Sequence, residues 1–153
     1  MTRLLPILLF LILVRCLPAD AGLPPPSIFD GFATPALILR GIIATESSMR
    51  PHVTGDDGLS RGGAQLNRKY DRERAERWGQ FDPYNLTDAI RITDRLFQAN
   101  LYALQLAEGC IDPSTWQRKR EDIAIGAHRR GLWGALTHGA DGWYLERVRR
   151  MGR

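Results

Sequence analysis

The densest hydrophobic stretch that can belong to a fold is Ala36 to Ala44, where Leu37, Ile38, Ile42 and Ile43 follow Thr34-Pro35 and lead to Thr45-Glu46-Ser47. A capping residue followed by proline is a helix start, with the proline at the first helical position. So few polar positions predict a buried helix ending near Ser47. A second pattern is longer: Leu86, Ala89, Ile90, Leu96, Phe97, Leu101 and Leu104 recur with the helical period, so one face is apolar. Asn85 is its expected N-cap, Asp88 suits the first turn, and Gly109 is its expected stop. Asp112-Pro113 opens a third helix through Trp116, Ile123 and Ile125, which Gly131 should end. A last helix is expected from about Asp141, carrying Trp143, Tyr144, Leu145 and Val148.

Between the first two helices the pattern breaks. Pro, Gly and Asp from Met49 to Ser60 predict loop with at most a short irregular hairpin, and Ser60 is read as the cap of a short helix through Asn67. Arg68 to Gly79 is charged enough to be an exposed helix or loop anchored by Trp78. No repeat or sustained strand alternation occurs. The expected fold is mainly α, a compact single helical domain.

The N-terminus has a different character. Arg3, the apolar run Leu4 to Val14, and Ala19-Asp20-Ala21 have the layout of a secretory signal peptide cleaved after Ala21. The run is short for a membrane span. Residues 22–27, with Pro24-Pro25-Pro26, read as a stiff linker, and the domain should occupy 28–153. Arg15 before Cys16 does not fit a lipoprotein signal, where a small residue is required. The leader would remove Cys16 and leave Cys110 without an intrachain partner.

The chain has 21 Lys and Arg against 17 Asp and Glu. Loss of Arg3, Arg15 and Asp20 with the leader leaves 19 against 16, a net charge of +3. That balance suits an anionic polymer such as cell wall, nucleic acid or a membrane surface, and export argues against nucleic acid. Basic residues are scattered along helical segments, as on ordinary solvated faces.

Several chemistries lack their residues. His52, His128 and His138 do not make a helical metal pair, no serine lies in a nucleophile elbow, and no glycine-rich phosphate loop is present. No metal or cofactor is expected. Glu46 is the candidate that remains, because desolvation at the end of a buried element favours a protonated carboxyl, the form needed for general acid work. Asp56 and Asp57 fall in a glycine-rich turn, where aspartate commonly bonds its own backbone. Trp78, Tyr84 and Trp133 are candidates for sugar stacking but equally for core.

Glu46-Ser47, then Gly58-Leu59-Ser60-Arg61-Gly62-Gly63-Ala64-Gln65, then Phe81-Asp82-Pro83-Tyr84-Asn85-Leu86, then Ile123 to Gly131 follow one another in an informative order. Together they resemble the catalytic region of the lytic transglycosylase (SLT) family of lysozyme-like, peptidoglycan-cleaving enzymes. The resemblance implies a lysozyme-like α+β fold with a sugar-binding groove, Glu46 as the catalytic residue, and Ser47, Ser60, Gly62, Gln65 and His128 at the substrate. Two departures stand out: Gly63-Ala64 replaces Leu-Met, and His128-Arg129 replaces Tyr-Asn. The family's tyrosine hydroxyl lies beside the catalytic glutamate; His128 offers a hydrogen bond in its place, and Arg129 is read as facing solvent.

The implied reaction is cleavage of the β-1,4 bond between N-acetylmuramic acid and N-acetylglucosamine. Glu46 protonates the leaving oxygen, then takes the proton of the muramoyl C6 hydroxyl as a 1,6-anhydro ring closes. The implied partners are peptidoglycan glycan strands and components of a secretion or flagellar assembly, with a monomeric protein exported to the periplasm or cell wall. Two alternatives stay open: a lysozyme-type hydrolase, and a wall-binding or assembly scaffold that has lost chemistry.

Overall fold

In the computed structural model, residues 31–107 and 119–153 are described. The expected leader 1–21, the linker 22–27 and the domain start near Ile28 lie outside them, as do Gly109, Cys110, Asp112-Pro113 and Trp116. Among the described residues the molecule is mainly helical with one small antiparallel sheet. The elements in order are α1 (Ala36–Ser47), β1 (Thr54–Gly55), β2 (Ser60–Arg61), β3 (Leu66–Asn67), α2 (Asp71–Trp78), α3 (Leu86–Leu106), α4 (Arg120–His138) and α5 (Gly142–Gly152). None of the described helices is long and apolar enough to cross a membrane.

Helix α1 is the central element because it feeds two apolar clusters at once. Ile42 joins Phe97, Leu104, Ile125, Tyr144 and Val148 in the first, while Leu39 and Ile43 join Ala64, Leu66, Ala89, Ile90 and Ile92 in the second. Each fully buried aliphatic side chain of this kind contributes roughly 1.5–3 kcal/mol. The helix starts one residue later than the sequence suggested, with Pro35 as N-cap and its carbonyl accepting from the Ile38 and Leu39 amides. Thr34 does not cap. Its amide donates to Asp94 Oδ1 at 2.9 Å and its hydroxyl accepts from Gln98 Nε2 at 2.9 Å, which ties it to α3 instead.

The closest helix pair is α1 and α5, running antiparallel. Gly41 faces the backbone of Val148, so that a Cβ there would stand 2.1 Å from the Val148 carbonyl oxygen, and Gly152 faces Leu37 at the same spacing. These two glycines, one on each helix at contacts one turn apart, let the backbones touch. The register they fix, 37 with 152 and 41 with 148, brings Glu46 level with Tyr144 at the other end.

Residues 60–67 depart from the expected short helix. They form a hairpin, with Arg61 opposite Leu66 and Ser60 opposite Asn67, and β1 adds on the outer side with Thr54 opposite Arg61. The reason lies in the four-residue turn Gly62 to Gln65. Gly62 has φ +74°, and a Cβ on it would lie 1.6 Å from the Pro83 carbonyl oxygen, so only glycine fits. Gln65 is also left-handed, at φ 48°, and a helix cannot pass through such residues.

Helix α3 follows its sequence pattern closely. Asn85 Oδ1 accepts from the Asp88 amide at 3.2 Å, the expected cap. The helix ends at Leu106. Gly131 does interrupt α4, with φ 71° and ψ 160°, but the chain resumes helical turns to His138. Trp78 and Leu86 pack against the second cluster, as an anchor for the charged α2 requires.

Candidate functional site

Glu46 sits in the last turn of α1, two residues before Ser48, which with Met49 has a positive φ, 55° and 64°, and ends the helix. It stands three residues beyond Ile43 and four beyond Ile42, so it emerges above the junction of the two clusters. The carboxyl is half-buried. A negative charge at a helix C-terminus is unfavourable unless something donates to it. Tyr144 supplies that donor: its hydroxyl gives a 2.5 Å hydrogen bond to Glu46 Oε1.

Tyr144 is only 1% exposed, held in the first cluster by the α1–α5 register. Burial pushes its pKa well above the ordinary tyrosine value, and the charge of Glu46 and the hydrogen bond to it push the same way; Arg129 opposes them. The phenol thus keeps its proton and remains a fixed donor. Among the described residues no other side-chain hydrogen bond to Glu46 is found.

The side chain that donates to Glu46 is therefore a tyrosine of α5, not a residue of the 123–131 segment. His128, expected beside Glu46, instead places Nε2 2.9 Å from the carbonyl oxygen of Ala64. Donating there, it holds the tip of the β2–β3 turn to α4. The sequence reading missed Tyr144 because it weighed that residue only as a core position of the last helix. The available signal was a tyrosine four residues before Val148 on one helix face.

Ser47 is buried, and its hydroxyl donates to the Ile43 carbonyl one turn back at 3.1 Å, so it supports α1. Ser60 donates to Asp56 Oδ2 at 2.6 Å, closing the β1–β2 connection. Gln65 Nε2 donates to the carbonyls of Gly62 at 2.9 Å and Val53 at 3.1 Å, and its Oε1 lies over Gly55. Gly62 packs under Pro83. Ser47 thus stabilises the helix that carries Glu46, and the other three shape the hairpin whose Gly63 and Ala64 rest on Ile43 and Ala89.

The turn segment is strained. Ser48, Met49, Asp56, Asp57 and Gln65 all hold left-handed backbone without being glycine, and residues forced into such regions cluster at functional sites. Asp56 is engaged by Ser60, in agreement with its reading as a turn residue.

Arg129 is exposed, as expected, and also engaged. Its guanidinium lies 4.6 Å from the Trp143 ring centroid and donates to Asp141 Oδ2 at 2.5 Å, while Arg130 pairs with the same carboxylate. Of the expected stacking candidates, Trp78 packs on the core, Tyr84 stacks with His52 at 6.1 Å, and Trp133 is exposed. A cleft of about 490 Å³ lies to one side, lined by Arg61, Asp71, Arg72, Ala75, Glu76, Gln80, Phe81 and Pro83. It does not include Glu46 and borders the hairpin only through Arg61. No cluster of His, Cys, Asp or Glu among the described residues could hold a metal ion.

Comparison with protein-family models, with curated proteins and with solved structures finds no match to this chain.

Proposed function

We propose that the protein is an exported lytic transglycosylase of lysozyme-like fold that cleaves peptidoglycan glycan strands, with Glu46 as acid and then base. The observation that carries this reading is the Glu46–Tyr144 pair: a half-buried carboxyl held at 2.5 Å by a phenol that burial keeps protonated. The order of sequence motifs from Glu46 to Gly131 supports it independently.

In this mechanism Glu46 in its protonated form gives its proton from Oε2 to the glycosidic oxygen as the bond to the muramoyl C1 breaks. The carboxylate left behind is stabilised by the Tyr144 hydrogen bond, which strengthens when its acceptor becomes charged. That carboxylate then takes the proton of the muramoyl C6 hydroxyl, whose oxygen closes on C1. The proton returns to Glu46 and no water is consumed. A hydrolase would use a second carboxylate across the bond, and the nearest candidate in sequence, Asp56, is bonded to Ser60.

The test is digestion of purified peptidoglycan followed by mass spectrometry of the released fragments. Anhydromuramoyl ends are expected. Reducing muramic ends would assign a lysozyme-type hydrolase, and no release at any pH would leave a wall-binding scaffold.

A further inference from the structure

The seam between α1 and α5 has two sides. Its contacts are Gly41 with Val148 and Leu37 with Gly152. One residue after a contact position, Ile42 packs in the first cluster with Ile125 of α4, and Arg149 donates to Asp122 of the same helix. One residue before a contact position, a side chain is turned by about 100° in the opposite sense. Because the two helices run antiparallel, Arg40, Arg147 and Met151 all turn to the side away from α4.

That side is open and basic. Arg40, Arg147 and Arg150 are exposed, and among the described residues none of the three has a hydrogen bond or an ion pair. Leu37 and Met151 stand with them, 59% and 36% exposed. Glu146 lies one turn before Arg150 and offsets part of its charge. Arg40 and Arg147 face no carboxylate of either helix, since the one acid of α1, Glu46, is bonded to Tyr144 at its other end.

We infer that this open side of the α1–α5 pair, centred on Leu37, Arg40, Arg147 and Met151, is a docking surface for an anionic phospholipid bilayer. Guanidinium groups meet headgroup phosphates there, while the leucine and methionine enter the boundary with the acyl chains. A soluble polyanion would engage the arginines but bury neither apolar side chain. A second copy on a two-fold axis would set arginine against arginine. The chain before Gly31 joins ahead of the end of α1 that carries Leu37, so the apolar run Leu4 to Val14 is attached at that end. On the exported reading, this end is held at the membrane until the leader is cut. The surface does not involve Glu46, and its test needs no cleavage of glycan.

The experiment measures flotation of the protein with vesicles of equal parts phosphatidylglycerol and phosphatidylcholine, and with vesicles of phosphatidylcholine alone. The second arm records any binding that comes from the leader. Binding to the anionic vesicles is expected to be tighter by at least about tenfold, and to be lost in molar salt, where charges are screened within about 3 Å. Each arginine at such a surface is worth a factor of about five, so Arg40→Gln with Arg147→Gln should weaken binding about 25-fold. Arg68→Gln with Lys69→Gln removes the same charge from exposed positions away from the seam, and should weaken it less than about threefold. Leu37→Ser should weaken binding about threefold with no change of charge. All these side chains are exposed, so melting temperatures should be unchanged. Equal binding to the two kinds of vesicle, no binding, or equal losses in the two double variants would overturn the inference. Binding to duplex DNA as tight as to the anionic vesicles and indifferent to Leu37→Ser would also overturn it, in favour of a polyanion site. A dimer in sedimentation that Leu37→Ser dissociates would overturn it in favour of an interface between copies.

Discussion

At the scale of single residues, the account turns on one hydroxyl. In Tyr144→Phe the ring still fills the first cluster, so only the hydrogen bond to Glu46 is lost. That should cost about 1.5–3 kcal/mol of stability, the range for a bond to a charged group. Cleavage should fall on the order of 10- to 100-fold through misorientation of the acid, mainly in kcat. Denaturation and rate measurements on the two proteins check both parts. The stability difference should also depend on pH. An unfolded tyrosine loses its proton near its ordinary value of 10.0, whereas burial, and then Glu46, hold the proton on in the fold. The native state thus keeps a proton that the unfolded chain releases. Stability owed to Tyr144 is complete below pH 10 and declines as pH rises above it. The gap between the parent and Tyr144→Phe should narrow between pH 9 and 11, and a gap that widens would contradict the assignment. Glu46 was legible in sequence because an apolar helix runs into it. Its partner was not, because the two are 98 residues apart and only the α1–α5 register joins them.

Among the elements, α3 was the most readable: an uninterrupted amphipathic period with an asparagine cap leaves few alternatives. The 60–67 segment was the least, since Ser60 with a charged residue after it looks like a helix start. What decides for the hairpin is the contact of Gly62 with Pro83, which local sequence does not show. His128 was misplaced for a similar reason. Its helix was correctly expected, but which neighbouring element it faces depends on how α4 meets the hairpin. The α1–α5 contact gives an element-scale prediction. Gly41→Ala should gain about 1 kcal/mol in helix propensity, yet its Cβ would lie 2.1 Å from the Val148 carbonyl oxygen. The helices must then separate, and overpacking of this kind typically costs about 1–3 kcal/mol. A lowered melting temperature is expected, with cleavage reduced further than stability because Glu46 and Tyr144 lose their alignment. A more stable, fully active variant would show that the two helices are not held together as described.

For the molecule as a whole, the mainly helical fold followed from hydrophobic period, whereas the sheet was expected at most within 49–60, and two of its three strands fall in the segment read as a helix. The way α1 divides its apolar residues between two clusters did not follow, because a helix apolar on most sides gives no clue to which neighbour takes which face. The proposed location can be tested directly. Intact-mass analysis of the exported protein should give a chain beginning at Gly22, where Ala19 and Ala21 supply the small residues that cleavage needs; a mass that includes residues 1–21 would indicate an uncleaved anchor. The central claim is that Glu46 carries the proton, and Glu46→Gln tests it most directly. The amide keeps the size of the neutral acid and can still accept the Tyr144 hydrogen bond, so folding and wall binding should persist. With no proton to give, it should lose about 10² to 10⁴ in rate. Release of anhydromuramoyl fragments from peptidoglycan by the parent, and almost none by an equally stable Glu46→Gln, is the predicted result; equal release by the two proteins would contradict it.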